Sequence, residues 1–413
     1  MKKYWQKILL FLAIIGPGII TGSVDNDAGG ITTYSLAGAQ FGYSLLWTLI
    51  PLFIFYIIAQ EMCVRMGIVT GKGLSSLIRE NFGLKITFWV SILLVLAQLG
   101  NTISEFAGIA ASMEIFGVSK YISVPIAAIG IWLLIIKGNY KTVEKVFLVA
   151  SLFYICYLIA GIVDHPPWGE IAVSMIKPNI SFKSDYLIML IAIVGTTIAP
   201  WMQFYVQASV VEKGISIKDY KYSKIDVVFG ALATCIVVFF IIVLCAHNLH
   251  THNIRIETAE DAALALKPLA GNFASYLFAF GLFNASVFAA CVLPLTTAYY
   301  ICEALGFESG VDNSFKEAPQ FFILYTALIV LGALIILIPN APLIAIMYTS
   351  QVINGLLLPF VLIFMLLLIN NKELMGNYVN SKIYNWISWI VTIILNIITL
   401  FLVITTIFPD IGK

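Results

Sequence analysis

Charge is what this sequence lacks. Of its 413 residues only 11% are Asp, Glu, Lys or Arg, against about 25% in an ordinary soluble domain. That deficit excludes a solvated globular exterior, and a net charge of +1 excludes the basic footprint of a nucleic-acid binder. Histidine is scarce, with four in the chain, and no nucleophile–base constellation is legible, so an enzyme reading has no support. The six cysteines, at 63, 156, 235, 245, 291 and 302, sit in apolar segments without C-x-x-C spacing. They read as buried thiols rather than a disulfide framework or a metal cluster. No cleavage pattern follows the first apolar segment, so Lys2, Lys3 and Lys7 read as a retained cytoplasmic anchor.

What the chain has instead is apolar length. It is 61% hydrophobic, with a mean hydropathy of +0.97, and runs of roughly 20 apolar residues, each enough to cross a bilayer, recur throughout. Eleven spans are expected, at 8–41, 44–66, 86–116, 119–137, 142–163, 186–211, 225–248, 270–304, 319–338, 342–369 and 383–408. With the N-terminus placed inside, 17 of the 23 Lys and Arg fall on the inner side and 6 on the outer. The positive-inside rule then predicts a multi-pass protein of the cell membrane, N-terminus cytoplasmic and C-terminus outside. The lipid bilayer is its first partner. Residues 1–413 read as one all-α transmembrane domain, and the longest loops are 164–185, 212–224 and 249–268.

Two spans carry anomalies. In the first, Asp25, Asn26 and Asp27 stand inside an apolar segment, bracketed by Gly22, Gly29 and Gly30. A carboxylate at mid-bilayer costs several kcal/mol, so an intramembrane acid points to function. Glycines leave helical geometry cheaply and let backbone approach a ligand. The expected picture is a helix broken at mid-depth, its freed carbonyls beside Asp27, lining a cavity. The sixth span repeats the pattern with Thr196, Ala199, Pro200, Trp201 and Gln203. Proline in mid-helix removes a hydrogen bond and clashes with the preceding turn, and 196 with 199, or 199 with 203, share a face. Paired interruptions in corresponding halves are the mark of a transporter built from inverted repeats, with the site between the breaks. The repeats would run about 8–163 and 186–369, with 383–408 as an extra helix. Two unrelated kinks are the plainer alternative.

At this point the sequence resembles the NRAMP family of divalent-metal transporters. Gly16-Pro17-Gly18 and Ala37-Gly38-Ala39-Gln40-Phe41-Gly42-Tyr43 are similar to the flanks of that family's first helix, and Asp27-Ala28-Gly29-Gly30 stands where the family has Asp-Pro-Gly-Asn. Further likenesses are Arg65-Met66-Gly67-Ile68-Val69-Thr70-Gly71-Lys72, Glu105-Phe106-Ala107-Gly108, Ser350-Gln351-Val352 and Leu358-Pro359-Phe360. They follow in the family's order along almost the whole chain. The resemblance implies a LeuT-like fold of five-plus-five inverted helices and import of divalent cations into the cytoplasm. No cofactor is implied, because the metal is the cargo.

The departures from the family pattern narrow the expectation. Asp27 keeps the coordinating aspartate, but the family's asparagine falls on Gly30 and its coordinating methionine on Ala199. Its histidine becomes Trp201, an acid three before the span-three glutamate becomes Thr102, and span nine has no Lys or Arg. Soft thioether ligands select late transition metals, whereas Mg2+ dehydrates reluctantly and is held through one or two carboxylates. Gly and Ala are also expected to leave room for water beside Asp27. The pattern resembles the NRAMP-related magnesium transporters. It points to Mg2+, with Mn2+ as a second ion, carried partly hydrated and without a proton. The alternatives are a proton-coupled Mn2+ or Fe2+ importer and, more remotely, a Na+-coupled amino-acid transporter of the same fold. A receptor or scaffold without transport is a further class.

By the resemblance, Asp27, Gly30, Thr196, Ala199 and Gln351 form the metal site, while Asp25, Asn26, Glu105, Trp201 and Gln203 serve the pathway or support the site. Each has a bland counterpart. Asp25 could be a hydrogen-bonded structural acid, Glu105 a polar tie to the broken helices, and Thr196 a small packing residue. Gln351 and Asn354, which share a face, could be interhelical glue. Arg65 and Lys72 read as topology determinants, and His247, His250 and His252 as a solvated external loop.

Overall fold

The computed structural model describes residues 21, 22, 24–137, 151–311 and 313–407. Among them every regular element is helical. Nine helical stretches are long and apolar enough to cross a membrane. The stretch Ala28–Thr70 holds the second half of span one and all of span two, joined by a 3-10 segment, Gly42–Thr48. The others are spans three, four and six to eleven. Span five contributes the shorter Leu152–Val163; residues 8–20 of span one and 142–150 of span five lie outside the described residues. All eleven expected spans are thus placed, at least in part, in a multi-pass membrane protein.

The architecture is inside-out, as a bilayer demands. Large apolar side chains such as Trp89, Leu96, Ile126, Ile129, Ile393 and Ile397 face outward, toward lipid. The polar minority is turned inward, with Asp25, Asp27, Gln98, Asn101, Glu105, Gln351 and Asn354 all buried. Polar groups inside a membrane must find partners within the protein, and that requirement places the helices around the two interrupted spans. Span eight packs along span three, span seven along span one, and span ten against both span three and the first half of span six.

Small residues set the closest approaches. A β-carbon at Gly195 would run into the backbone of Gln351 and Gly355, and one at Gly355 into the carbonyl of Ile191. Spans six and ten therefore meet backbone to backbone, the packing that small residues allow in membranes.

The C-terminal end of span two adds to the expectation. Arg65, read from sequence as a topology determinant, is a structural tie. It pairs with Glu61 at 3.1 Å and donates to the carbonyls of Tyr378 and Val379 at 2.9 and 3.0 Å, and to Asn380 Oδ1. Glu61 in turn accepts from the hydroxyl of Tyr220. Span two, the start of span seven and the strap before span eleven are joined at one point. Lys72, by contrast, makes an exposed ion pair with Glu80 at 2.7 Å.

Candidate ion site at the two helix breaks

Span one breaks at Asn26–Asp27 and resumes as the helix Ala28–Phe41. Asp27 is its N-cap, in extended geometry, and Oδ1 accepts from Gly30 N–H at 2.6 Å. A capping carboxylate satisfies an orphan amide and lies at the positive end of the helix dipole. The break is held from outside as well. Ala28 N–H donates to Oε2 of Glu105 at 3.3 Å, the hydroxyl of Tyr154 donates to the Asn26 carbonyl, and Asn26 Nδ2 donates to the Gly22 carbonyl at 3.3 Å.

Span six breaks where Pro200 predicts it. The helix Ser184–Thr197 ends, Ile198 and Ala199 take non-helical conformations, and Pro200–Glu212 resumes with proline in its first turn, where the missing N–H costs nothing. The breaks face each other. Tyr34 Oη and Thr197 Oγ1 are 3.0 Å apart, and a β-carbon added at Gly30 would lie 3.1 Å from Thr196 Oγ1 and 3.4 Å from Asp27 Oδ1. Gln351 closes the third side, its amide nitrogen filling the place a β-carbon at Gly29 would take.

Three buried carboxyl groups lie around the first break, those of Asp25, Asp27 and Glu105, exposed by 3%, 5% and 0%. Among the described residues, neither oxygen of Asp25 nor Oε1 of Glu105 has a hydrogen-bond partner. Neither the Arg65–Glu61 nor the Lys72–Glu80 ion pair involves this cluster. Isolated buried charges are expensive unless paired. Buried carboxyl groups with backbone carbonyls and hydroxyls around them have the chemistry that attracts a hard cation.

The expected residues distribute as follows. Asp27, Gly30, Thr196 and Gln351 come together, and the Ala199 carbonyl lies at the second break, accepting from Gln203 Nε2 at 3.5 Å. Glu105 is a polar tie in fact, through Ala28. Trp201 is buried against Tyr205. Thr102 donates to the Gln98 carbonyl at 2.8 Å and packs its methyl against Gly332 of span nine.

Three expectations change. The room beside Asp27 is not open: a β-carbon at Gly30 would lie 2.6 Å from the Asp25 carbonyl, so the backbone has closed over the place of the lost side chain. Nor has the thioether left the neighbourhood, because Met202 Sδ lies 3.2 Å from the Ala199 nitrogen. His247 lies in the last turn of span seven's helix rather than in a loop, and His250 beyond it is anchored through Nδ1 to the Ala39 carbonyl at 2.9 Å. His247, His250, Tyr43 and Glu170 line a pocket of about 440 Å³. Among the described residues no three His, Cys, Asp or Glu side chains converge on a metal position, the three carboxyl groups at the first break included.

A family model described as natural resistance-associated macrophage protein-like matches residues 18–405. The chain belongs to the Nramp family. It is 26% identical over 414 residues to a divalent metal cation transporter MntH of Nostoc sp., covering 95% of this chain and 90% of that one. A second MntH, from Listeria welshimeri, is 28% identical over 98% of this chain and 92% of its own. Among solved structures, an Eremococcus coleocola manganese transporter superposes with a TM-score of 0.81 at 20% identity, over 96% of this chain and 87% of that one. Mhp1, a nucleobase-cation-symport-1 family transporter, superposes at 0.56 and 14% identity, over 96% and 92%. These likenesses establish the LeuT-like fold of the Nramp chain.

Sequence reasoning missed three supports of the site. Tyr154 caps the first break from span five, and nothing marks a lone tyrosine in an apolar span. The Tyr34–Thr197 contact joins two residues of ordinary type. The partnership of Asn354 with Asn101 had a signal, since an asparagine in a membrane helix seeks a partner, but the sequence does not say which.

Proposed function

We propose that this Nramp chain imports a divalent metal cation into the cytoplasm, Mg2+ foremost with Mn2+ on the same path, as a partly hydrated ion and without a coupled proton. The three buried carboxyl groups of Asp25, Asp27 and Glu105, set beside two broken helices, carry the reading. Asp27 supplies the charged ligand, and the Gly30 and Ala199 carbonyls, Thr196 and Gln351 supply neutral oxygens. Such oxygen donors suit hard cations. Because the backbone lies close over Gly30 in this structure, the ion's waters are accommodated when the two breaks move apart. The N-terminus is cytoplasmic and the C-terminus outside, in the orientation that puts 17 basic residues on the inner face. A transport role, rather than an enzymatic one, agrees with the relatives named above.

The competing reading is a proton-coupled Mn2+ or Fe2+ importer. Met202 favours it, because its sulfur is close enough to the second break to serve a softer ion. Uptake of Mg2+, Mn2+, Fe2+ and Cd2+ into liposomes carrying the purified protein, each alone and in competition, decides between them. Mg2+ uptake that Mn2+ inhibits only weakly supports the first reading. Mn2+ uptake indifferent to excess Mg2+ overturns it.

A further inference from the structure

Four buried amides run from the candidate site into span three. Asn354 Nδ2 donates to Gln351 Oε1 at 2.9 Å and to Asn101 Oδ1 at 2.9 Å. Asn101 Nδ2 donates back to Asn354 Oδ1 at 3.2 Å and to Gln98 Oε1. All four residues are 1–2% exposed. Gln351 faces the first break with its nitrogen, which lies against Gly29 and donates to Ser350 Oγ at 3.3 Å.

An amide has one end that accepts and one that donates, so these links constrain each other. Turning Gln351 alone sets its nitrogen against Asn354 Nδ2. Turning Asn354 alone sets two oxygens together toward Asn101, and turning Asn101 alone does the same toward Gln98. Only a reversal of all four restores every amide–amide link, and it brings the Gln351 carbonyl to the site in exchange for the bond from Gln351 Nε2 to Ser350 Oγ. A ladder satisfied in two complete arrangements is a two-state element. Its preference matters to a cation. A bare ion needs an oxygen, and a hydrated ion turns its water O–H groups outward and needs an acceptor too. The donor end of Gln351 suits neither.

We propose that a cation at Asp27 reverses this ladder, and that Asn354 is the positioning residue that decides which end of Gln351 the ion meets. The ladder links ion occupancy to the contact between spans ten and three. This rests on the reading of Gln351 as a site residue, which the test separates from the ladder itself.

The experiment measures KM for Mg2+ and Mn2+ in proteoliposomes for Asn354→Asp, Asn354→Leu, Gln351→Leu and the two double variants. Asp at 354 only accepts, so it fixes the Gln351 nitrogen toward itself and the carbonyl toward the ion. Asn354→Asp is expected to lower KM about threefold, and Asn354→Leu to raise it about fivefold, the scale of one hydrogen bond, with maximal rates little changed. Both effects disappear in the Gln351→Leu background, because residues acting as one unit are non-additive. Effects that persist there, as a through-space charge or a packing defect would, overturn the ladder and leave Gln351 in the site. A Gln351→Leu variant with unaltered KM removes Gln351 from the site and the ladder's role with it. Should Asn354→Leu fail to fold, Asn354→Ser breaks the same links with a smaller side chain, and an unchanged KM there also overturns the proposal.

Discussion

Ala28 N–H donates to Glu105 Oε2 at 3.3 Å, so a carboxyl group of span three completes the helix that restarts after the break in span one. Glu105 therefore has a hydrogen-bonding task separable from its charge. Glu105→Gln keeps an acceptor for Ala28, while Glu105→Ala leaves that amide buried and unpaired, at a cost of about 1–3 kcal/mol. The glutamine variant is expected to fold normally and to transport with a KM raised within about fivefold, the scale of one ordinary hydrogen bond. The alanine variant is expected to melt lower and lose most uptake. Equal damage in both, read by thermal melting and metal uptake, would place the whole role of Glu105 in its charge.

Asp27 also combines a cap with a charge. Asparagine is as good an N-cap as aspartate, whereas alanine loses about 1 kcal/mol. Asp27→Asn should preserve the melting temperature yet abolish uptake of Mg2+ and Mn2+, because the cation loses its charged ligand. Uptake that survives in this variant would remove Asp27 from the site.

The selectivity of the site should respond to Ala199 more cleanly than to Gly30. A side chain at 30 meets the Asp25 carbonyl at 2.6 Å, closer than carbon and oxygen tolerate, so Gly30→Asn and even Gly30→Ala should destabilise unless the break opens. Ala199→Met adds a thioether at the second break, and soft donors favour later transition metals. Cd2+ and Mn2+ should then compete better against Mg2+ than in the parent. An unchanged ranking in competition uptake would show that the ion does not reach position 199.

The broken helices were legible because both breaks are chemically loud. Asp27 flanked by glycines and Pro200 inside an apolar run each violate the ordinary grammar of a spanning helix. Lipid-facing residues such as Ile126 and Ile397 announced the spans by length and hydropathy alone. What stayed hidden depends on distance between segments. Gly30 reads as empty space in sequence, yet the Asp25 carbonyl occupies that space. Met202 lies three residues beyond the aligned position, and only the turn after Ala199 brings its sulfur back toward the break. Arg65 looks like a cytoplasmic charge until its partners from 378–380 are seen. Periodicity carries none of these, since each is a contact made by folding.

The energy source of uptake is open to a direct test. A proton relay needs side chains that change protonation or carry charge, and Trp201 and Thr102 do neither near neutral pH. Thr102 spends its hydroxyl on the Gln98 carbonyl at 2.8 Å and faces Gly332 in a span nine without Lys or Arg. The one buried acid in span three, Glu105, is held against the break by Ala28. A divalent ion has little need of help, because each charge gains about 2.3 kcal/mol per 100 mV of inside-negative potential, or about 4.6 for two. Uptake should therefore follow the membrane potential and leave lumenal pH unchanged. The measurement is lumenal pH in proteoliposomes during Mg2+ and Mn2+ uptake under a clamped potential, with Asp27→Asn as the blank. Acidification that tracks the metal and vanishes in the blank would mean that protons accompany the ion by a route that bypasses Trp201 and Thr102, and uncoupled uptake would have to be abandoned.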